Sequence, residues 1–369
     1  MPEWAVGPAG DELCSLRWNA VAGVVEVIDQ TLLPHQLRWL PLRSLPACCR
    51  AISRMQVRGA PLIGITAAFG LAQALTEDSS SGAMERACSA LMATRPTAVN
   101  LSWALGEIVT AVRDLDPNRR AAAALARARE LRDQDIACCA RIGEHGLALL
   151  RSLKPGATIN IMTHCNAGWL ATIRWGTALA PVYKAYAAGI PLHVWVSETR
   201  PRNQGMNLTA WELQRAGVPC TIVADNSCGQ LLRRGEVDCV IVGSDRTAAN
   251  GDVCNKTGTY LKALAARASR IPFYVALPVS SIDWSCASGD EIPIEERGEE
   301  EVLTITGRAS GGEVGTVNLA APGSRAYNPA FDITSAGLLS ALVTEYGVVE
   351  ASPAGLGRLR AQISSSSPM

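Results

Sequence analysis

Thr158-Ile159-Asn160-Ile161-Met162, running straight into Thr163-His164-Cys165-Asn166-Ala167-Gly168, is the stretch on which the fold turns. A short apolar segment that ends in a polar, reactive turn has the pattern of a buried strand. The unit recurs. Residues 193–196, 221–224, 240–242 and 273–277 are again short, apolar and mostly β-branched. Helical patterns at 168–188, 207–217, 227–234 and 255–269 separate them. Buried strands alternating with helices require a parallel sheet covered on both faces, so residues 154–369 are expected to form a doubly wound α/β domain. The tail, 364–369, carries no structural signal and is expected to be disordered.

Upstream the pattern is different. Residues 16–18 and 24–28 read as two short strands, with a third at 36–39 after the segment 29–34. Helical periodicity then covers 43–55, 61–77, 83–94, 98–115 and 119–153. Pro61 suits the first position of its helix, and Asp116-Pro117-Asn118 separates the last two. A chain of 369 residues exceeds one ordinary core. The division expected is a small mixed domain of strands and helices at 1–153, followed by the sheet domain at 154–369.

Composition narrows the partners. Lys+Arg and Asp+Glu are 34 each, which leaves no broad basic field for nucleic acid or an anionic membrane. No apolar run approaches the roughly 20 residues of a membrane span. The opening MPEWAVGPAGDEL lacks the basic start and apolar run of a signal peptide, which points to the cytosol. The twelve cysteines fall as neighbours (Cys48 and Cys49, Cys138 and Cys139) or at irregular gaps, and no C-x-x-C occurs. The histidines, at 35, 145, 164 and 193, have no metal-ligand spacing. Reduced, mostly buried thiols and no metal are expected.

Ligands of open parallel sheets bind beyond the carboxyl ends of the strands, so the turns there are where chemistry belongs. The first carries Cys165. The second reads Ser197-Glu198-Thr199-Arg200-Pro201-Arg202-Asn203-Gln204-Gly205, the third Asp225-Asn226-Ser227, and the fourth Gly243-Ser244-Asp245-Arg246. Cys165 precedes a glycine-bearing helix start, which would lower its pKa and equip it as base or nucleophile; a packed small hydrophobe is the plainer reading. His164 points to the opposite face of the strand and reads as a satisfied structural histidine. Asp245 has no basic partner four residues on. At the mouth of an apolar sheet its pKa is expected to rise, as a general acid requires; a loop-bridging aspartate is the alternative. Together, at neighbouring strand ends, the two would face one pocket.

Anion sites suggest themselves at Asn255-Lys256-Thr257-Gly258-Thr259, read as the opening of the 255–269 helix, and at Arg58-Gly59-Ala60-Pro61, with Arg95-Pro96-Thr97 adding a second guanidinium. Any one of these cations could equally be a solvated surface charge. A nicotinamide-binding turn needs G-x-G-x-x-G, whereas this one reads Cys-Asn-Ala-Gly, and Gly355-Leu356-Gly357 follows no strand. No G-x-x-x-x-G-K-[ST] occurs either, so dinucleotide oxidoreduction and P-loop hydrolysis are both unsupported.

These residues resemble the methylthioribose-1-phosphate isomerase family, which is related to ribose-1,5-bisphosphate isomerases and to the regulatory subunits of the exchange factor for initiation factor 2. The matching segments are DQTLLP at 29–34, VRGAPLIG at 57–64, RPTAVNL at 95–101, THCNAG at 163–168, SETRP at 197–201, QG at 204–205, LTAWEL at 208–213, GSDR at 243–246, NKTGT at 255–259, IPIEER at 292–297 and NPAFDIT at 328–334. The resemblance implies a Rossmann-like second domain, a homodimer, and cofactor-free conversion of 5-methylthioribose 1-phosphate to 5-methylthioribulose 1-phosphate in methionine salvage. It places Cys165 and Asp245 at the catalytic positions, and Arg58, Gly59, Ala60, Arg95, Gln204, Asn255 and Lys256 at the substrate-binding ones. It also implies a cytoplasmic protein, with a nuclear presence left open. Met206-Asn207 and a Gly-rich insertion at 307–325 depart from the pattern. A related phosphosugar, such as ribose 1,5-bisphosphate or 5-deoxyribose 1-phosphate, and a non-catalytic regulatory subunit remain as alternatives. Trp169, Trp195 and Trp211 read either as apolar pocket walls or as plain core.

Overall fold

The alternating segments near the start fold as an antiparallel meander, β1 (Leu16–Asn19), β2 (Val24–Ile28) and β3 (Trp39–Leu42). The computed structural model describes residues 13–95 and 98–366. Residues 1–12 of the opening segment, Pro96 and Thr97, and the last three residues of the tail lie outside it. The third strand sits at 39–42 rather than 36–39. Asp29 caps a turn at Gln30–Leu32, the Gln36 N–H is spent on the Leu32 carbonyl, and pairing starts only where Trp39 meets Ile28.

Five helices follow: α1 (Leu45–Ser53), α2 (Ala60–Glu77), α3 (Ser81–Met92), α4 (Val99–Val112) and α5 (Pro117–Leu153). In α2, 13 of 18 residues are buried, so it is the axis around which the others pack. Leu62, Ile65, Phe69 and Leu101 lie at the centre of that core. Ala60 takes the first helical position and Pro61 the second.

The second half is built on β4 (Ile159–His164), α6 (Ala180–Ala187), β5 (Leu192–Ser197), α7 (Ala210–Arg215), β6 (Cys220–Val223), α8 (Cys228–Arg233) and β7 (Cys239–Val242). A small sheet interrupts it with β8 (Arg246–Ala248) and β9 (Val253–Lys256), before α9 (Thr259–Ser269), β10 (Phe273–Ala276) and β11 (Ile282–Asp283). After these come α10 (Glu300–Leu303), β12 (Thr304–Arg308), β13 (Val314–Asn318), β14 (Phe331–Thr334), β15 (Ala341–Thr344), β16 (Gly347–Val349) and α11 (Pro353–Ser366). The main sheet has seven strands in the order β16-β15-β10-β7-β4-β5-β6, parallel except for β16. The chain winds outward from β4 to β6, then returns to β7 on the other side of β4. That reversal opens a crevice between the ends of β4 and β7. Separate apolar clusters cover the two faces, one around Ile161, Val194 and Leu213, the other around Val240, Val275 and Leu342.

Three further expectations, two helices and the tail, are corrected, and the insertion takes a definite form. The helix expected at 168–188 is a short turn (Trp169–Ala171), an irregular segment, and then α6. Tertiary partners claim the backbone between them, with Ile173 N–H donating to Asp135 Oδ2 (2.9 Å) and Ser15 N–H to the Ile173 carbonyl (3.1 Å). The helix expected from 255 begins at Thr259, because Asn255 and Lys256 pair with Asp332 and Phe331 as strand β9 in the sheet β11-β8-β9-β14. The insertion at 307–325 contains most of an exposed hairpin, β12 with β13. The tail stays helical to Ser366, where Ser364 and Ser365 hydroxyls donate back to the Arg360 and Gln362 carbonyls.

Asp332 fills the α9 N-terminus: Gly258 N–H donates to its Oδ2 (2.6 Å) and Tyr260 N–H to its Oδ1 (3.2 Å). Asp332→Ala should therefore lower unfolding stability by about 1 kcal/mol in urea titration, the usual worth of a helix cap. An unchanged midpoint would show that these contacts carry no net stability.

Candidate active site

Cys165 stands where β4 ends, with a left-handed backbone (φ 63°). A side chain makes that conformation costly by about 1–2 kcal/mol. Two hydrogen bonds hold it in place. Cys165 N–H donates to Thr199 Oγ1 (2.8 Å), and Thr209 Oγ1 donates to the Cys165 carbonyl (2.6 Å). Thr199 lies in the loop after β5, and Thr209 ends the π-turn Gly205–Thr209 that leads into α7. Asp225, after β6, fixes the first of these loops by accepting from Thr199 N–H (2.8 Å), Arg200 N–H (2.7 Å) and the Ser197 hydroxyl.

His164 is buried and satisfied on both ring nitrogens, by Ser197 Oγ at Nδ1 (3.1 Å) and the Thr257 carbonyl at Nε2 (2.9 Å). Burial, and then the nearby Lys262 charge, hold its pKa well below the usual range, so it stays neutral. The Cys165 thiol behaves otherwise than its sequence position suggests. Only a single 3-10 turn, Trp169–Ala171, starts after Gly168, and its Trp169 and Leu170 N–H groups are taken by Glu212 rather than a thiolate. Burial pushes the thiol pKa up, against the pull of Arg58 and Lys256, and Asp245 adds to the rise. Asp245 follows β7 through Gly243-Ser244, its N–H bonded to the Cys254 carbonyl (3.0 Å). Burial likewise pushes its carboxyl up, against Lys256, Arg58 and Arg95.

Both groups line one cavity of about 60 Å³, together with Arg58, Gly59, Ala60, Arg95, Gln204 and Lys256. Asn255 is set slightly back. It lines an adjoining space of about 30 Å³ with Cys165 and Asp245, and its amide donates to Thr259 Oγ1 (3.0 Å). Arg58 is oriented by Asn166, to whose Oδ1 (2.5 Å) and main-chain carbonyl (2.8 Å) it donates. Gly59 (φ 91°) is the α2 N-cap without a side-chain cap, and a Cβ there would lie 2.4 Å from the Ala171 carbonyl. The bare start of an 18-residue helix thus opens into the cavity beside Arg58. Lys256 projects from β9, not from a helix start. Its Nζ donates to the Ala330 carbonyl (2.8 Å) and lies 4.6 Å from the Phe331 ring centre. Among the described residues, no cluster of three or more His, Cys, Asp or Glu is arranged for a metal, and no helix is long and apolar enough to cross a membrane.

The sequence profile of the initiation factor 2 subunit family matches residues 56–351. A methylthioribose-1-phosphate isomerase of Paramagnetospirillum magneticum is 56% identical over 343 residues, 92% of this chain and 95% of that one. Among solved structures, the 5-methylthioribose 1-phosphate isomerase from Pyrococcus horikoshii is 36% identical, with a TM-score of 0.83 over 98% of each chain. The translation initiation factor eIF-2B delta subunit from A. fulgidus is also 36% identical, with a TM-score of 0.76 over 92% of this chain and 96% of that one. This chain belongs to the methylthioribose-1-phosphate isomerase family.

For a member of this family, the cavity holds residues that the sequence reading passed over. Met55, Ile63, Ile292, Pro293 and Phe331 give it an apolar side. Arg297 and Arg246 also reach it, Arg246 Nη2 donating to Asp283 Oδ2 (2.5 Å). IPIEER and NPAFDIT, quoted as motifs without a role, were the available signal for several of these. None of the three tryptophans lines the cavity. Trp169 is buried against Trp211 (5.8 Å between ring centres), and Trp195 Nε1 donates to the Glu236 carbonyl (3.0 Å). A chain of ion pairs runs along the rim, Arg95 to Glu295 (3.0 Å), Glu295 to Arg297 (2.8 Å), Arg297 to Glu301 (2.6 Å) and Glu301 to Arg202 (2.7 Å).

In the ligand-free protein Cys165 should react slowly with iodoacetamide at neutral pH, accelerating only as pH climbs beyond the ordinary thiol range. Lys256→Ala removes one of the two opposing cations and should move that profile to still higher pH. Mass-spectrometric alkylation rates across a pH series measure both effects. Fast alkylation at pH 6 would mean that the cations outweigh burial.

Proposed function

We propose that this chain interconverts 5-methylthioribose 1-phosphate and 5-methylthioribulose 1-phosphate, with Asp245 and Cys165 acting on the sugar. The observation that carries the reading is the shared cavity, whose lining brings a thiol and a carboxyl together with cations and apolar side chains. Arg58, Arg95, Lys256 and the open start of α2 suit a phosphate. Ile292, Pro293, Phe331 and Met55 suit a methylthio group. Gln204 supplies an amide for sugar hydroxyls. The residues up to 153 contribute the α2 start and the two arginines, and those from 154 contribute the reacting pair, so we place the site between two domains. Assembly as a homodimer in the cytoplasm belongs to the same reading.

The C1 phosphate prevents spontaneous ring opening, so the ring oxygen must be protonated as its bond to C1 breaks. Asp245 fits that task, since burial favours its acid form. The C1 cation that results is stabilised by the remaining C1 oxygen, while the arginines hold the phosphate. Transfer of the C2 hydrogen to C1, with loss of the C2 hydroxyl proton to the Asp245 carboxylate, gives the ketose. Cys165 either takes the C2 hydrogen as a proton and returns it at C1, or lies beside a C2-to-C1 hydride shift. The upward shift of the thiol favours the second role, because a neutral thiol is a weak base.

Rim electrostatics favour a neutral 5-substituent over a second phosphate. Arg297 and Arg202 are committed to Glu301, whose carboxyl their hydrogen bonds hold down at about 2 even though its burial opposes them. A C5 phosphate would have to compete with that carboxylate. Wild-type protein should turn over the methylthio sugar and discriminate against ribose 1,5-bisphosphate. Cys165→Ala and Asp245→Asn should each lower kcat by about 10²–10⁴-fold, the usual range for a positioned acid or base. Turnover of neither sugar by folded wild-type protein would refute the reading and favour a regulatory subunit. In deuterated water the hydride route leaves C1 of the ketose free of solvent deuterium, whereas an exchanging proton labels it.

A further inference from the structure

Glu212 is a buried carboxylate that the reaction does not use and that lines neither the catalytic cavity nor the space beside it. It sits in α7 and accepts four hydrogen bonds. Asn166 Nδ2 (2.8 Å) and Leu170 N–H (3.0 Å) donate to Oε1, while Trp169 N–H (2.8 Å) and Tyr183 OH (2.9 Å) donate to Oε2. Two of these donors are main-chain groups of the turn that follows Cys165. The backbone is shaped around the carboxylate, since a Cβ at Gly168 would lie 1.9 Å from Oε2.

Asn166 is the link to the cavity. Its Nδ2 is shared between Glu212 and Thr209 Oγ1 (3.2 Å), which fixes the amide so that Oδ1 faces Arg58. Thr209 in turn donates to the Cys165 carbonyl. One carboxylate therefore anchors both the turn that carries Cys165 and the partner that aims Arg58. We propose that Glu212 is a positioning residue for the isomerisation, holding Arg58 through Asn166 and the Cys165 turn through the Trp169 and Leu170 amides. Such a carboxylate is expensive to bury. Loss of solvent raises its pKa to about 7 despite four donors, yet an apolar side chain in its place would leave those buried donors unpaired. What an apolar residue lacks is an acceptor that fixes the Asn166 amide.

The inference rests on the proposed isomerase reading, and its test has one arm that needs no substrate. Glu212→Gln keeps the shape but replaces one acceptor oxygen with an N–H₂ group facing donors. Asn166→Ala removes the link but leaves the Trp169, Leu170 and Tyr183 donors to Glu212 in place, and serves as the second variant should Glu212→Gln fail to fold. Each should lower kcat/KM by about 10²-fold, the scale of a displacement near 1 Å at a reacting group, with KM rising as Arg58 loosens. The double variant should be no worse than the poorer single one, because both act through one path. The Cys165 alkylation profile should move to higher pH in both single variants as the Arg58 charge shifts away. Additive losses, or a wild-type KM and alkylation profile in folded Asn166→Ala, would overturn the proposal. A variant with a lower melting temperature but an unchanged alkylation profile would assign Glu212 to stability alone. Wild-type protein inactive on the methylthio sugar would refute the function, while the alkylation profiles would still decide the positioning.

Discussion

The hydrogen bonds from Cys165 N–H to Thr199 Oγ1 and from Thr209 Oγ1 to the Cys165 carbonyl hold one residue in a left-handed conformation at the point where the sheet reverses its winding. A turn of that kind cannot persist on local preference, because a side chain disfavours it. Three segments from two successive crossovers make it possible. The loop after β5 supplies Thr199, the turn before α7 supplies Thr209, and the loop after β6 supplies Asp225, which fixes Thr199 in place. The parallel sheet thus does more than place strand ends side by side. Its connections determine the conformation of Cys165.

Burial and nearby cations act in opposite directions on Cys165 and Asp245. Removing Cys165 and Asp245 from water favours their protonated forms, while Arg58 and Lys256 favour the charged ones. Burial prevails for both. The same cations lie close to one another, and burial lowers the Lys256 ammonium in its turn. An incoming phosphate would relieve that crowding, since its negative charge offsets Arg58, Arg95 and Lys256 together. An anion bound there would therefore be coupled, through shared charges, to the protonation of Cys165 and Asp245.

Much of this was legible in the sequence where a single local rule dominates. The apolar runs of β4, β5, β7 and β10 have no polar face to mislead, and the long helices of the first half repeat at helical spacing over many turns. The reading failed where tertiary bonds override local pattern. Residues 172–179 look helical, yet their backbone groups are claimed by Asp135, Ser15 and Ala167. Strands β8, β9 and β14, of three or four residues each, are too short to show alternation, so Asn255 and Lys256 were assigned to a helix. The apolar side of the cavity was missed for a different reason: Met55, Ile292 and Phe331 come from distant segments, and no spacing rule joins them.

Correcting the position of Asn255 and Lys256 changes how a substrate would lie. Two helix starts approach the cavity region, and a phosphate could in principle take either. The α9 start is already occupied, since Asp332 receives the Gly258 and Tyr260 N–H groups, and an added anion would meet that carboxylate. The α2 start has no side-chain cap and is flanked by Arg58. Charge therefore favours the α2 start over the α9 start for an anion, and Lys256 lines the same cavity from β9. Ile292, Pro293 and Phe331 line the same cavity, the Phe331 ring centre 4.6 Å from Lys256 Nζ, while Glu295 and Glu301 hold Arg297. Under the proposed isomerase reading, which of two helix starts the protein has blocked with its own side chain decides where the phosphate would lie.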